Sequence, residues 1–99
     1  MCRVRPYPDG MIRGFTHVNN SIMTVMLGSG TATFSGRLTN WDIKNRLHEI
    51  QTPTLIVAAK YDFMSADHMK WMSTQMQHAR YLYCPDGSHL AMWDDQKDF

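Results

Sequence analysis

Pro53-Thr54-Leu55-Ile56-Val57-Ala58-Ala59 opens the stretch that decides the fold, and Cys84-Pro85-Asp86-Gly87-Ser88-His89-Leu90 closes it. The first run is short, continuous and apolar, with a breaker at its start, which is the pattern of a buried β-strand. It gives way to Lys60-Tyr61-Asp62-Phe63-Met64, a polar loop carrying one acid. Residues 65–77 read as helix, with Met69, Met72 and Met76 on one stripe that packs on the sheet. Ala79-Arg80-Tyr81-Leu82-Tyr83-Cys84 reads as a second strand, and Pro85-Asp86-Gly87-Ser88-His89 as a flexible turn that projects one histidine. A βαβ unit makes its two strands parallel and opens the loops after both on the same edge of the sheet. Asp62 and His89 are therefore expected on neighbouring loops at the carboxyl ends of adjacent strands. Open α/β sheets hold their chemistry at that edge.

An acid and a histidine delivered together make two thirds of a nucleophilic triad. The acid fixes the imidazole tautomer and stabilises the imidazolium, and the imidazole takes a proton from the nucleophile. Asp62 preceding His89 fits the chain order nucleophile, acid, histidine. The nucleophile itself is missing, because no Gly-x-Ser-x-Gly occurs in the 99 residues. Ser88 lacks a strained strand-to-helix elbow and reads as a turn residue. His17, His48, His68 and His78 lie on helical or linker stretches and read as surface residues. Cys84 ends an apolar strand and reads as buried and inert. Trp41 and Trp93 are read as packing residues rather than pocket walls.

Working outward, residues 3–9 contain Pro6, Pro8 and Asp9 and read as a linker or helix entry. From 11 to 27 the apolar positions Met11, Ile12, Phe15, Val18, Ile22, Val25 and Met26 recur at helical spacing, with a break near Asn19-Asn20. Gly28-Ser29-Gly30-Thr31 is a loop that lacks the preceding strand and the lysine of a phosphate cradle. Residues 33–38 are irregular. Asn40 is expected to cap a short helix starting at Trp41-Asp42, with Ile43, Leu47 and Ile50 on its apolar face. Downstream, Leu90-Ala91-Met92-Trp93 starts a last helix. Asp94 and Asp95 fall in its first turn, where negative charge suits the amino end.

Length and composition bound the rest. A chain of this size makes one small domain. A net charge of +1, scattered along the sequence, implies no nucleic-acid or membrane surface. Two cysteines are too few for a disulfide framework, so a reduced, cytoplasmic setting is expected. No apolar run approaches the ~20 residues that span a bilayer. Nine methionines read as gap-filling in helices and core. Two parallel strands do not make a stable sheet alone. The expectation is therefore the C-terminal part of a longer protein, cut before that protein's end.

Four segments together resemble a family: Gly36-Arg37-Leu38-Thr39-Asn40-Trp41-Asp42, Ile50-Gln51-Thr52-Pro53-Thr54-Leu55-Ile56, Tyr61-Asp62-Phe63-Met64, and Cys84-Pro85-Asp86-Gly87-Ser88-His89-Leu90-Ala91-Met92-Trp93-Asp94-Asp95-Gln96. They look like the C-terminal third of proline iminopeptidases, which are α/β-hydrolase serine peptidases. The resemblance implies an α/β fold: the last two parallel strands of a hydrolase sheet with flanking helices, over residues 37–99. Residues 1–36 would be the end of a helical cap. It implies release of N-terminal proline from peptides through an acyl-enzyme, with no metal or organic cofactor. By matching position Asp62 is the triad acid and His89 the general base, and the serine and oxyanion amides lie upstream. This sequence departs from the pattern twice. Some members carry a substrate-amine-binding glutamate where Thr31 and its neighbours stand, and some carry a glutamate where Phe63 stands. Fixing an ammonium in a dry pocket needs a carboxylate or strong acceptors.

Two other readings remain open. One is an esterase or amidase of the same fold, acting on a small ester or amide. The other is a non-catalytic interaction domain that uses an exposed sheet edge to pair with a partner.

Overall fold

The computed structural model of the chain describes residues 1–29 and 35–99. Gly30, Thr31 and the start of the 33–38 stretch lie outside the described residues. The chain divides into two compact units. One is Asp9–Ile43, and the other joins Met1–Pro8 to Lys44–Phe99.

The first unit is helical. Helix α1 spans Asp9–Thr16 and α2 spans Asn20–Leu27. The expected break falls where the sequence put it: the Asn19 side chain accepts from the Ile22 amide at 3.1 Å and starts α2 afresh. Gly28 ends α2 at φ 101°, in the left-handed region that glycine enters without strain. Arg37 and Leu38 then donate their amides to the Val25 and Met26 carbonyls, each at 3.0 Å. Trp41 is exposed, against the packing role expected of it. The helix expected from Trp41 does not form there. A 3-10 helix, Lys44–Glu49, forms instead in the other unit; it buries Leu47, and Ile50 just beyond it is half-buried.

The second unit carries the sheet. Strand β1 is Thr54–Tyr61, α3 is Ala66–Gln75, β2 is Ala79–Ser88 and α4 is Ala91–Asp94. The strands are neighbours and parallel, as the βαβ order requires. Ser65 caps α3, accepting from the His68 amide at 3.3 Å. Along α3, Met69 and Met72 are half-buried, and Met76 just beyond its end is buried. Alternation gives the sheet two faces. Tyr81 on one face reaches the Ala66 carbonyl of α3 at 3.4 Å. On the other face Ala59 and Cys84 pack with Ala91 of α4, flanked by Val57 and Leu82.

Two differences from the sequence reading bear on the site. First, β2 does not stop at Cys84; it continues to Ser88 through a step in register. Ala59 faces Cys84 and Tyr61 faces Ser88, so two residues of advance on β1 match four on β2. Such bulges are rare in parallel pairs. Second, the last helix is a single turn: Asp94 falls in that turn as expected but also closes it, and Asp95 lies beyond it as the C-cap.

Gly87 lies inside the bulge, and it is buried rather than a loose hinge. A Cβ there would sit 3.0 Å from both the Ala91 and Cys84 Cβ atoms and 3.2 Å from that of Ala59. None of those atoms can swing away, because each is fixed to backbone. Gly87→Ala should therefore lower stability by about 1–3 kcal/mol, the usual range for overpacking a core. Urea unfolding measures this, and Ala91→Gly in the same chain should recover part of the loss.

Candidate active site

Asp62 and His89 each follow directly on the facing residues Tyr61 and Ser88. The structure brings the two together. His89 Nδ1 lies 3.1 Å from Asp62 Oδ1 and 3.3 Å from Oδ2. Asp62 is also tied locally: its amide donates to the Ala59 carbonyl at 3.3 Å, and its Oδ1 accepts from the Met64 amide at 3.2 Å. The Asp62 side chain is only 12% exposed while that of His89 is 42% exposed. With Nδ1–H donating to the carboxylate, the free lone pair of the ring is on Nε2. The Phe63 ring stands 4.6 Å from the His89 ring, tilted by 34°, and is itself largely exposed.

The other histidines do not join this site. His17, His48, His68 and His78 are all exposed, as expected. Cys84 is fully buried, and burial pushes its thiol above the usual value, which fits an inert role. Trp93 is half-buried. Among the described residues no group of three His, Cys, Asp or Glu side chains could hold a metal ion. Among them, too, no helix is long and apolar enough to cross a membrane.

Sequence reasoning missed the network behind His89. Ser88, taken for a turn residue, is buried. Its amide donates to Asp94 Oδ2 at 3.1 Å and its hydroxyl donates to the same oxygen, with the Met1 carbonyl also against it. Asp94 Oδ1 accepts from the Arg3 amide at 2.6 Å, the Val4 amide at 3.0 Å and the Cys2 thiol at 3.3 Å. The buried Asp95 accepts from the Asp86 amide at 2.9 Å. The Arg3 guanidinium donates to the Asp86 carbonyl and lies 3.9 Å over the Tyr61 ring. These partners sit up to 92 positions apart, so no local pattern announces them.

No family model matches the sequence. Individual relatives do. The whole chain is 56% identical to a proline iminopeptidase of Flavobacterium johnsoniae and 52% identical to one of Elizabethkingia meningoseptica. Over 91% of its length it is 42% identical to a proline iminopeptidase of Chitinophaga pinensis. By sequence, this chain is similar throughout to proline iminopeptidases. It spans 33%, 34% and 30% of the lengths of those three relatives, about a third of each. Among solved structures, the crystal structure of VinJ matches 98% of this chain and 33% of its own, with a TM-score of 0.80 at 23% identity. That likeness shows the fold, two parallel strands with flanking helices as found in part of an α/β-hydrolase.

Two outcomes follow from the geometry of this proline iminopeptidase relative. Neutral His89 should carry its proton on Nδ1, seen as a histidine with unprotonated Nε2 in nitrogen-15 spectra, and Asp62→Ala should return the ring to the Nε2–H form that free imidazole prefers. The second concerns Asp94. Burial pushes its carboxyl up, but the Ser88 hydroxyl, the Arg3 and Val4 amides and the Cys2 thiol outweigh this and hold it at about 2, against an ordinary 3.8. A carboxylate depressed in the folded state adds stability that is complete above its unfolded value and is lost as pH falls through the folded one. Urea midpoints should therefore drop between about pH 4 and pH 2, and Asp94→Asn should flatten that drop.

Proposed function

We propose that these residues supply the acid and base of a serine hydrolase of the proline iminopeptidase type, which releases N-terminal proline from peptides. The observation that carries the reading is the 3.1 Å contact between His89 Nδ1 and Asp62 Oδ1 at the ends of adjacent parallel strands. Asp62 holds the imidazole in the Nδ1–H form and balances its charge once protonated. His89 Nε2 takes the proton of a serine hydroxyl as that oxygen attacks the prolyl carbonyl. It then gives the proton to the departing amine, and water repeats the cycle on the acyl-enzyme. The serine and the oxyanion amides belong to residues upstream in a longer chain, and residues 1–36 are the end of its helical cap. The 99 residues alone are then inactive. The substrate is a peptide, with no nucleic acid or membrane as partner, and the setting is cytoplasmic.

A second reading has one observation in its favour. Phe63, exposed against His89, brings a ring where an amine-binding carboxylate would help. That suits a small ester or amide whose acyl part has no ammonium group, and the enzyme would be an esterase or amidase of the same fold.

One assay tests both. A longer protein containing these residues should cleave a prolyl amide faster than a simple ester, and the reverse preference favours the esterase. In that protein Asp62→Asn should cost about 10⁴-fold in kcat, and His89→Ala as much or up to about 10⁶-fold. Undiminished turnover without His89 defeats the reading.

A further inference from the structure

We propose that Asp94 and Asp95 are positioning residues for the Asp62–His89 pair, clamping the β2 bulge that sets His89 beside Asp62. The register is the starting point. Had β2 kept step after Ala59–Cys84, Tyr61 would face Asp86 and Asp62 would face Gly87. His89 would then stand two residues further along, about 6–7 Å beyond the acid. The bulge absorbs those two residues, so it is a condition of the pairing.

A bulge frees backbone groups from the ladder, and each needs a partner. Here each partner is specific. Pro85 has no amide to satisfy. The Asp86 amide donates to Asp95, and the Asp86 carbonyl accepts from Arg3. Gly87 offers no side chain and fits against Ala59, Cys84 and Ala91. The Ser88 amide and hydroxyl both donate to Asp94. The two carboxylates are neighbours at the end of α4, whose Ala91 is packed into the core beside Cys84. Asp94 also grips residues 2–4, and from there Arg3 reaches back over Tyr61, the residue before the acid. The clamp thus holds the Ser88 backbone just before His89 and touches the ring of Tyr61 just before Asp62.

The juxtaposition concerns geometry alone and stands whether or not the chain serves a peptidase. Its catalytic consequence rests on the proposed function. The test separates the two. In a longer protein containing these residues, nitrogen-15 histidine spectra report the His89 tautomer, assigned through the signal that His89→Gln removes. Asp95→Ala should lose the Nδ1–H form of His89, while Asp95→Asn, which keeps an oxygen to accept from the Asp86 amide, should retain it. Leu47→Ala serves as control: Leu47 is buried on the 3-10 helix that packs with α3, so stability should fall with the His89 tautomer unchanged. If Asp95→Ala fails to fold, Asp94→Asn, which leaves one acceptor oxygen for the two sides of the clamp, is read by the same criterion. A folded Asp95→Ala or Asp94→Asn chain with the wild-type His89 tautomer overturns the proposal. So does a Leu47→Ala chain that loses the tautomer as readily. In the longer enzyme, Asp95→Ala should lower kcat by about 10²-fold with KM little changed, the size expected for a misplaced base. A longer enzyme without peptidase activity would defeat the proposed function and leave the tautomer result standing.

Discussion

The structure turns on the register between two parallel strands. Through Ala59 and Cys84 the pairing is regular, and by Tyr61 and Ser88 it has slipped by two residues. Everything at the site depends on that slip. Parallel strands advance about 3.3 Å per residue, so an unslipped pair would leave the acid and the histidine out of contact. The carboxyl end of a parallel sheet brings loops together only roughly, and a hydrogen bond demands placement to a few tenths of an ångström. Here the bulge supplies the difference.

A slipped register also exposes polar backbone inside a small core. A buried amide without a partner costs about 1–3 kcal/mol, so several such groups would outweigh most of what a domain of this size has to spare. The chain avoids that with proline where no donor is wanted, glycine where no side chain fits, and two aspartates where amides need acceptors. This explains why acids stand at the end of a one-turn helix. Their placement owes little to the helix dipole, which in a single turn is small. They are there for amides belonging to β2 and to residues 3 and 4.

How much of this was legible follows from the range of each interaction. The βαβ unit was written locally: an apolar run, a methionine stripe, a second apolar run. So was the break at Asn19, because a cap acts on the next three residues. The meeting of Asp62 and His89 followed from topology, which needs only the order of elements. The bulge did not follow. Pro85-Asp86-Gly87 is a turn by composition, and nothing within five residues says that it continues a strand. Its stabilising partners Arg3 and Asp95 are 83 and 9 positions from Asp86. The same holds for Ser88 and Asp94, whose link to residues 1–4 crosses nearly the whole chain. Trp41 failed for the opposite reason: an aromatic residue beside a helix cap resembles a packing position, but here no helix forms at that point to present it.

The direction of cause at the site can be argued from exposure. The His89 side chain is 42% exposed, and a solvent-facing ion pair or hydrogen bond contributes only about 0–1 kcal/mol. A contact that weak does not bend a strand or hold two extra residues in a core. The Asp94 and Asp95 contacts are better placed to do so: they are charge-assisted, involve backbone amides, and Asp95 is buried. Held by them, Ser88 presents its successor in a fixed position, and Tyr61, paired with Ser88 in the sheet, does the same for Asp62. The histidine therefore meets the acid because its backbone is already in position, and the hydrogen bond between them selects the tautomer rather than the fold. A ring arranged this way keeps Nε2 free without having to contribute to stability. That division is what the proposed general base needs, a ring free to gain and lose a proton while the strand beneath it stays still.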